Sequence, residues 1–197
     1  MKKTRILPQF LQVTALACAL WMGASPVWAA SEKYQIDPTH SFVTFTIPHL
    51  GYSLLQGRFN KVSGQFSLDL AQPESGAIQI AVETASIDSN HAERDKHLKG
   101  KDFLEVEKFP KAEFKSTRIV ENDGKVKVDG DLTLHGVTKP VSFEAKLVGT
   151  GPDPWGGFRR GYAGSLRVKR ADFGISYNLG PAAESLDLGL FIEGIRQ

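Results

Sequence analysis

Five histidines, His40, His49, His91, His97 and His135, are the side chains of this 197-residue chain best suited to metal or hydrogen-bond chemistry. Three or four converging imidazoles can hold zinc. These five lie on separate segments without an HxxxH spacing, and no cysteine supports them, so the pattern argues against a metal site. His40 and His49 flank one apolar run; each reads either as a hydrogen-bond donor near the end of a cavity or as a satisfied structural group. A second polar group, Glu93, Arg94, Asp95 and His97, follows Asp88-Ser89-Asn90. On a helix Arg94 shares a face with Asn90 and His97. Arg94 and His97 are therefore candidates for holding a ligand's polar head. The structural alternative has Asp88 or Asn90 capping the helix and Arg94 tying it to the rest of the fold by an ion pair.

Catalysis finds little support. Asp172-Phe173-Gly174 matches a kinase magnesium motif in letters alone, with neither a Gly-rich phosphate loop nor a catalytic loop beside it. No GxSxG elbow is present, and no nucleophile has a partnered base. The expectation is a protein with no catalytic residues and no cofactor.

The elements that must position these side chains are strands. Alternation of apolar and polar residues places one set of side chains on each face of a strand. It runs through Phe66–Leu70, Ile78–Glu83, Lys125–Leu134, Val141–Leu147, Leu166–Lys169 and Leu186–Glu193, and with Ser41–Ile47 and Ala112–Val120 it gives about eight strands. Asn122-Asp123-Gly124 and His135-Gly136 supply short turns, which favour antiparallel neighbours. Gly130 marks a bulge or bend. Helix signals occur from His91 to about Gly100, with a further turn at Phe103–Glu107 before Pro110. Gly51–Gln56 reads as a second short helix or a loop. The fold class is all-β: an eight-stranded antiparallel barrel with one or two short helices, of a size that encloses one small ligand. Such a barrel stands about 25 Å tall.

The first residues read as an export signal. Lys2, Lys3 and Arg5 precede an apolar stretch from Val13 to Ala24, and Val27-Trp28-Ala29-Ala30 supplies small residues for cleavage after Ala29 or Ala30. The domain division is thus 1–29 as signal peptide and 31–197 as one mature domain. The apolar run is short for a membrane anchor, and Ala15-Leu16-Ala17-Cys18 is a poor lipoprotein signal. Removing the signal takes away the sole cysteine and three cations, leaving 21 basic against 22 acidic residues. A near-neutral domain has no electrostatic footprint for nucleic acid.

Beyond these patterns, many segments in one order resemble a known family. They are YQIDPTHS from Tyr34 to Ser41, His49-Leu50-Gly51-Tyr52-Ser53 with Gly57-Arg58-Phe59, SIDSNHAERDKHLKGKDF from Ser86 to Phe103, and Phe109-Pro110 with Phe114. GDLTLHGVTKPV from Gly130 to Val141, Asp153-Pro154-Trp155-Gly156-Gly157 and Asp172-Phe173-Gly174-Ile175 follow. Together they resemble the YceI-like family of polyisoprenoid-binding proteins, across nearly the whole of residues 31–197. Ser89 stands where many members have Thr, and Gly100-Lys101 replaces a more usual Ser-Ala pair.

The resemblance implies a lipocalin-like periplasmic or secreted barrel whose elongated apolar cavity holds an isoprenoid quinone, a polyprenyl lipid or, in some members, a fatty amide. Burial of a tail is worth about 0.8 kcal/mol per methylene, so apolar area alone suffices for tight binding. The candidate lining is Phe42, Phe45, Phe66, Phe103, Phe114, Leu134, Phe143, Trp155 and Phe173, against the plain reading that most of these fill a core. The candidate head-group ligands are His40, His49, Arg94 and His97. Further expectations are transient membrane contact and a homodimer. Two other functions compete: a secreted stress-response or structural protein with a fully packed barrel, and an exported hydrolase.

Overall fold

A computed structural model describes residues 31–69 and 71–197. The expected signal peptide, with Cys18, and Leu70 at the end of the Phe66–Leu70 run lie outside the described residues. Eleven strand segments follow in order: β1 (Glu32–Ile36), β2 (Phe42–His49), β3 (Ser53–Phe59), β4 (Val62–Leu68), β5 (Ala77–Glu83), β6 (Ile87–Asp88), β7 (Lys111–Asn122), β8 (Lys125–Leu134), β9 (Val137–Pro152), β10 (Phe158–Lys169) and β11 (Ser185–Arg196). One α-helix, α1 (Ala92–Lys99), lies between β6 and β7.

These segments form a closed eight-stranded antiparallel barrel, because six of them are halves of three interrupted strands. β1 and β2 pair with successive stretches of β11, at Gly194–Arg196 and Asp187–Phe191. On their other side β4 pairs with β1 and β3 with β2. Next in turn, β5 pairs with β4 and β6 with β3. β7 to β11 then run as an uninterrupted meander, and the β1–β11 pairing closes the ring. The region read as a helix or loop, Gly51–Gln56, is instead the hairpin into β3. Its apolar residues do not alternate strictly, so the pattern gave no strand signal.

Local chemistry explains the interruptions and the turns. Pro38 lacks the N–H a ladder needs, and the Asp37 carboxylate instead accepts the backbone N–H of Thr39 at 2.9 Å. Ser41 takes over part of the ladder: its Oγ donates to the Glu193 carbonyl at 3.2 Å and accepts the Glu193 N–H at 3.0 Å. The tight hairpins at Asp123-Gly124 and His135-Gly136 have both residues at positive φ, 51° and 72° in the first and 51° and 74° in the second, which suits the twist of the flanking strands. Two bulges adjust which side chains face inward. One, at Thr117, sits opposite the Gly130–Asp129 step and turns Ile119 and Glu121 inward. The bend expected at Gly130 is therefore a bulge in the partner strand. The other leaves Val148 as the extra residue of β9, so this valine is 68% exposed.

α1 is capped by neither Asp88 nor Asn90. His91 is the cap, its Nδ1 accepting the Arg94 N–H at 3.2 Å. Asn90 sits at φ 62°, and Asp88 accepts its N–H at 2.9 Å, so the pair forms the turn that precedes the cap.

A cavity with a cationic rim

The inward face of the barrel differs between its ends. At the end where β1 begins and β11 finishes, Tyr34 stacks on Phe66 with ring centroids 4.8 Å apart, and Tyr162 meets Phe66 edge-on at 5.9 Å. Ile36, Leu68, Ile119, Val126 and Val128 complete this plug and are buried. One polar cluster is sealed within it. Arg160 Nη2 donates to Glu121 Oε1 at 2.8 Å, Arg160 Nε donates to the Tyr162 hydroxyl at 2.5 Å, and that hydroxyl donates to Glu121 Oε2 at 3.2 Å. Burial pushes the Tyr162 hydroxyl up to about 12, so it stays protonated and can donate.

Toward the other end the interior is hollow. A cavity of about 810 Å³ is within the range of small-molecule sites. Its wall comes from β2 and β3 (Val43, Phe45, Ile47, Leu55, Phe59), β7 to β9 (Phe114, Leu132, Leu134, Phe143), and β10 and β11 (Leu166, Val168, Leu186, Leu188, Leu190). A side chain at Gly57 would collide with the Phe45 ring, which leans across β3 to form this wall. Phe114 and Phe143 meet at 5.4 Å yet remain only partly buried, because one side of each borders empty space. No Ser, Thr, Cys, Lys or Asp side chain lines the cavity among the described residues, so the wall offers no alcohol, thiol or amine nucleophile.

Polar groups gather at the mouth, where the β2–β3 hairpin, α1 and the β10–β11 loop meet. His49 and Leu50 come from the hairpin, Arg94 and His97 from α1, and Arg170, Tyr177 and Asn178 from the loop. His97 Nε2 lies 2.8 Å from Asp102 Oδ2, and its ring meets Phe103 and Tyr177 edge-on at 5.0 and 5.4 Å. Arg94 forms none of the ion pairs among the described residues. It donates instead to the hydroxyl and carbonyl of Ser89, at 2.7 and 2.5 Å. Its expected structural ion pair to the barrel is thus replaced by bonds within the segment leading into the helix. Arg170, 6% exposed, donates through Nε to the Ala183 carbonyl at 2.8 Å and through Nη1 to the Ile175 and Tyr177 carbonyls at 3.4 and 3.1 Å.

Of the candidate residues, Phe45, Phe103, Phe114, Leu134, Phe143, His49, Arg94 and His97 lie on the cavity. Five do not. Phe66 belongs to the closed-end plug, and Phe173 packs behind the wall formed by Leu132, Leu166 and Val168. Phe42 opens β2 on its outward-facing side and is 39% exposed, whereas Trp155 sits 77% exposed in the loop between β9 and β10. His40 lies at the β1–β2 interruption, its Nδ1 2.8 Å from Asp37 Oδ2. There Asp37, His40 and Glu193 bring possible ligand atoms within 4.8 Å of one another. Arg159 fills the role of cation among them, with Nη1 donating to Asp37 at 2.7 Å and to Glu193 at 2.5 Å, and Nε donating to Asp153 at 2.8 Å.

Arg170, Tyr177 and Asn178 escaped the sequence reading. Arg170 did carry a signal: Leu166 and Val168 face inward, and the next position of that period is a cation. Tyr177 and Asn178 carried none, because they reach the mouth through an irregular loop.

The YceI-like domain model matches residues 34–193. The chain belongs to the YceI-like family. A UPF0312 protein of Pseudomonas aeruginosa is 47% identical over 192 residues, covering 98% of this chain and 100% of the relative. Among solved structures, Burkholderia cenocepacia BcnA is similar at a TM-score of 0.71 and 23% identity, covering 80% of this chain and 98% of that one. A polyisoprenoid binding domain from Saccharophagus degradans is similar at a TM-score of 0.65 and 18% identity, covering 83% and 98%. At these identities the structural likeness speaks for the fold. The YceI-like barrel described above, hollow at one end and packed at the other, is that fold.

Proposed function

We propose that this YceI-like chain binds a long-chain lipid of the isoprenoid class, a quinone or polyprenyl lipid, and carries it through water with the tail buried in the barrel. The observation that carries this reading is the hollow half of the interior: a cavity of about 810 Å³ walled by aliphatic and phenyl groups and open beside α1. Evacuating so much core costs packing, and a ligand tail restores it, at about 25 cal/mol per Å² of apolar surface removed from water. The polyisoprenoid-binding domain that shares the fold supports the same ligand class. Among the described residues the lining offers no alcohol, thiol or amine nucleophile, which favours binding over hydrolysis, and the cavity itself counts against a function that needs a fully packed barrel. The basic, apolar and small-residue run of residues 1–30 supports export of the carrier to the periplasm, with cleavage after Ala29 or Ala30.

Organic extraction of the purified protein followed by mass spectrometry is expected to release a stoichiometric prenyl lipid. Replacing Phe114 or Phe143 with Arg puts a charge on the cavity wall and is expected to abolish lipid uptake while the β spectrum persists. A clean extract, together with unchanged uptake by both variants, would overturn the reading.

A further inference from the structure

An arginine stands near the closed end of β10, and another follows directly after its open end. Arg160, in the closed end, is neutralised by Glu121 at 2.8 Å. Arg170, just past the open end of the strand, is as deeply buried, and no carboxylate lies within ion-pair distance of it among the described residues. Three backbone carbonyls hold its Nε and Nη1, while Nη2 has no acceptor among the described residues and is not fully buried, and the residue lines the cavity. Burying a cation without a counter-charge is costly, and arginine keeps its charge at any physiological pH. Burial alone lowers the pKa of Arg170 from its ordinary value; no neighbouring charge offsets that effect.

The rim repeats the asymmetry. Arg94 has no carboxylate partner either, its guanidinium resting on Ser89. Asp95 is one bond further away, its Oδ1 accepting from the Ser89 N–H and hydroxyl. His97 is engaged by Asp102. Among the described residues the cavity lining contains one carboxylate, Glu113, and this residue alternates with inward-facing Ala112 and Phe114, so it is exposed on the outer face of β7. The interior of the site is therefore apolar with an excess of positive charge at one end.

We infer that the ligand supplies the missing counter-charge: the cavity selects an amphiphile with an anionic head, a phosphate or carboxylate, which accepts hydrogen bonds from Arg170 Nη2 and from Arg94 at the mouth. The guanidinium fork matches such oxyanions and forms its strongest hydrogen bonds with them. This rests on the lipid-binding reading above and narrows it, because a neutral quinone carbonyl would leave the charge uncompensated.

Geranylgeranyl phosphate, geranylgeraniol and inorganic phosphate, titrated calorimetrically into delipidated protein, separate the outcomes. The phosphate ester is expected to bind at least about tenfold more tightly than the alcohol, with no binding of inorganic phosphate alone. In Arg170→Gln the ratio between the two lipids should fall to about one; Arg94→Gln should narrow the ratio less. Equal affinities of the two lipids for the unaltered protein would overturn the inference and leave lipid binding standing, a result that does not depend on any variant folding. Binding of inorganic phosphate as tight as that of the ester would overturn it in favour of a free-phosphate site. Binding of neither lipid would overturn the proposed function itself.

Discussion

The closed and open ends of the barrel are built from the same strands with the same alternation, and they differ in what fills them. In β8, Val128 near the closed end is 1% exposed, while Leu134 near the mouth is only partly buried. In β10, Arg160 at the closed end has a carboxylate and a tyrosine as partners, whereas Arg170, just past the open end of that strand, has backbone carbonyls alone. A packed, electrically balanced half thus supports a hollow, unbalanced half. Packing is concentrated away from the cavity, which lets the mouth give up core contacts without unfolding the whole.

The sharpest way to break this comparison is to unbalance the closed end. Glu121→Ala leaves Arg160 buried and unpaired and should cost about 3–5 kcal/mol in urea unfolding; a loss below about 1 kcal/mol would mean that the two ends do not differ electrostatically. Next in size is a pair of truncations. Phe66→Ala in the plug should cost about 3–5 kcal/mol, and Phe114→Ala should cost clearly less in the lipid-free protein, because its ring already borders a void. Equal losses would show the upper barrel to be as tightly packed as the lower.

A pH dependence follows from the Asp37 cluster that binds β1, β10 and β11. Burial raises the Asp37 pKa, but hydrogen bonds from Thr39, His40 and Arg159 outweigh it and hold the carboxyl well below the usual range. Its stabilising contribution is therefore complete above the ordinary aspartate value of about 3.9 and is lost as pH falls below it. The urea midpoint of the unaltered protein should drop more steeply below pH ~4 than that of Asp37→Asn; parallel curves would refute the linkage. The smallest effect belongs to Trp155→Ser. This substitution at an exposed loop beyond the plug should leave stability within about 0.5 kcal/mol and lipid uptake unchanged, and impaired uptake would show that the closed end also admits ligand.

Much of the barrel was legible beforehand. Period-two runs such as Val126, Val128, Leu132 and Leu134 have one geometric meaning, and Asp123-Gly124 at positive φ needs no tertiary help to turn the chain. The interrupted strands were less legible, since β3 lacks clean alternation and β6 is two residues long. Among the aromatic candidates, residue type gave no means of separating Phe66, sealed in the plug, from Phe114, facing the void. Both are inward-facing phenylalanines on alternating strands.

Sequence by itself therefore determined the class of elements, most of their antiparallel joins, the alternation along each unbroken run and the family. Tertiary structure decided which inward residues meet a neighbour and which meet empty space, and which of the two arginines, Arg160 or Arg170, received a carboxylate. The physical reason is that alternation is a local property of the backbone. A void or a missing counter-ion depends on distances between segments far apart in the chain, such as Glu121 and Arg160 or Arg170 and Ala183.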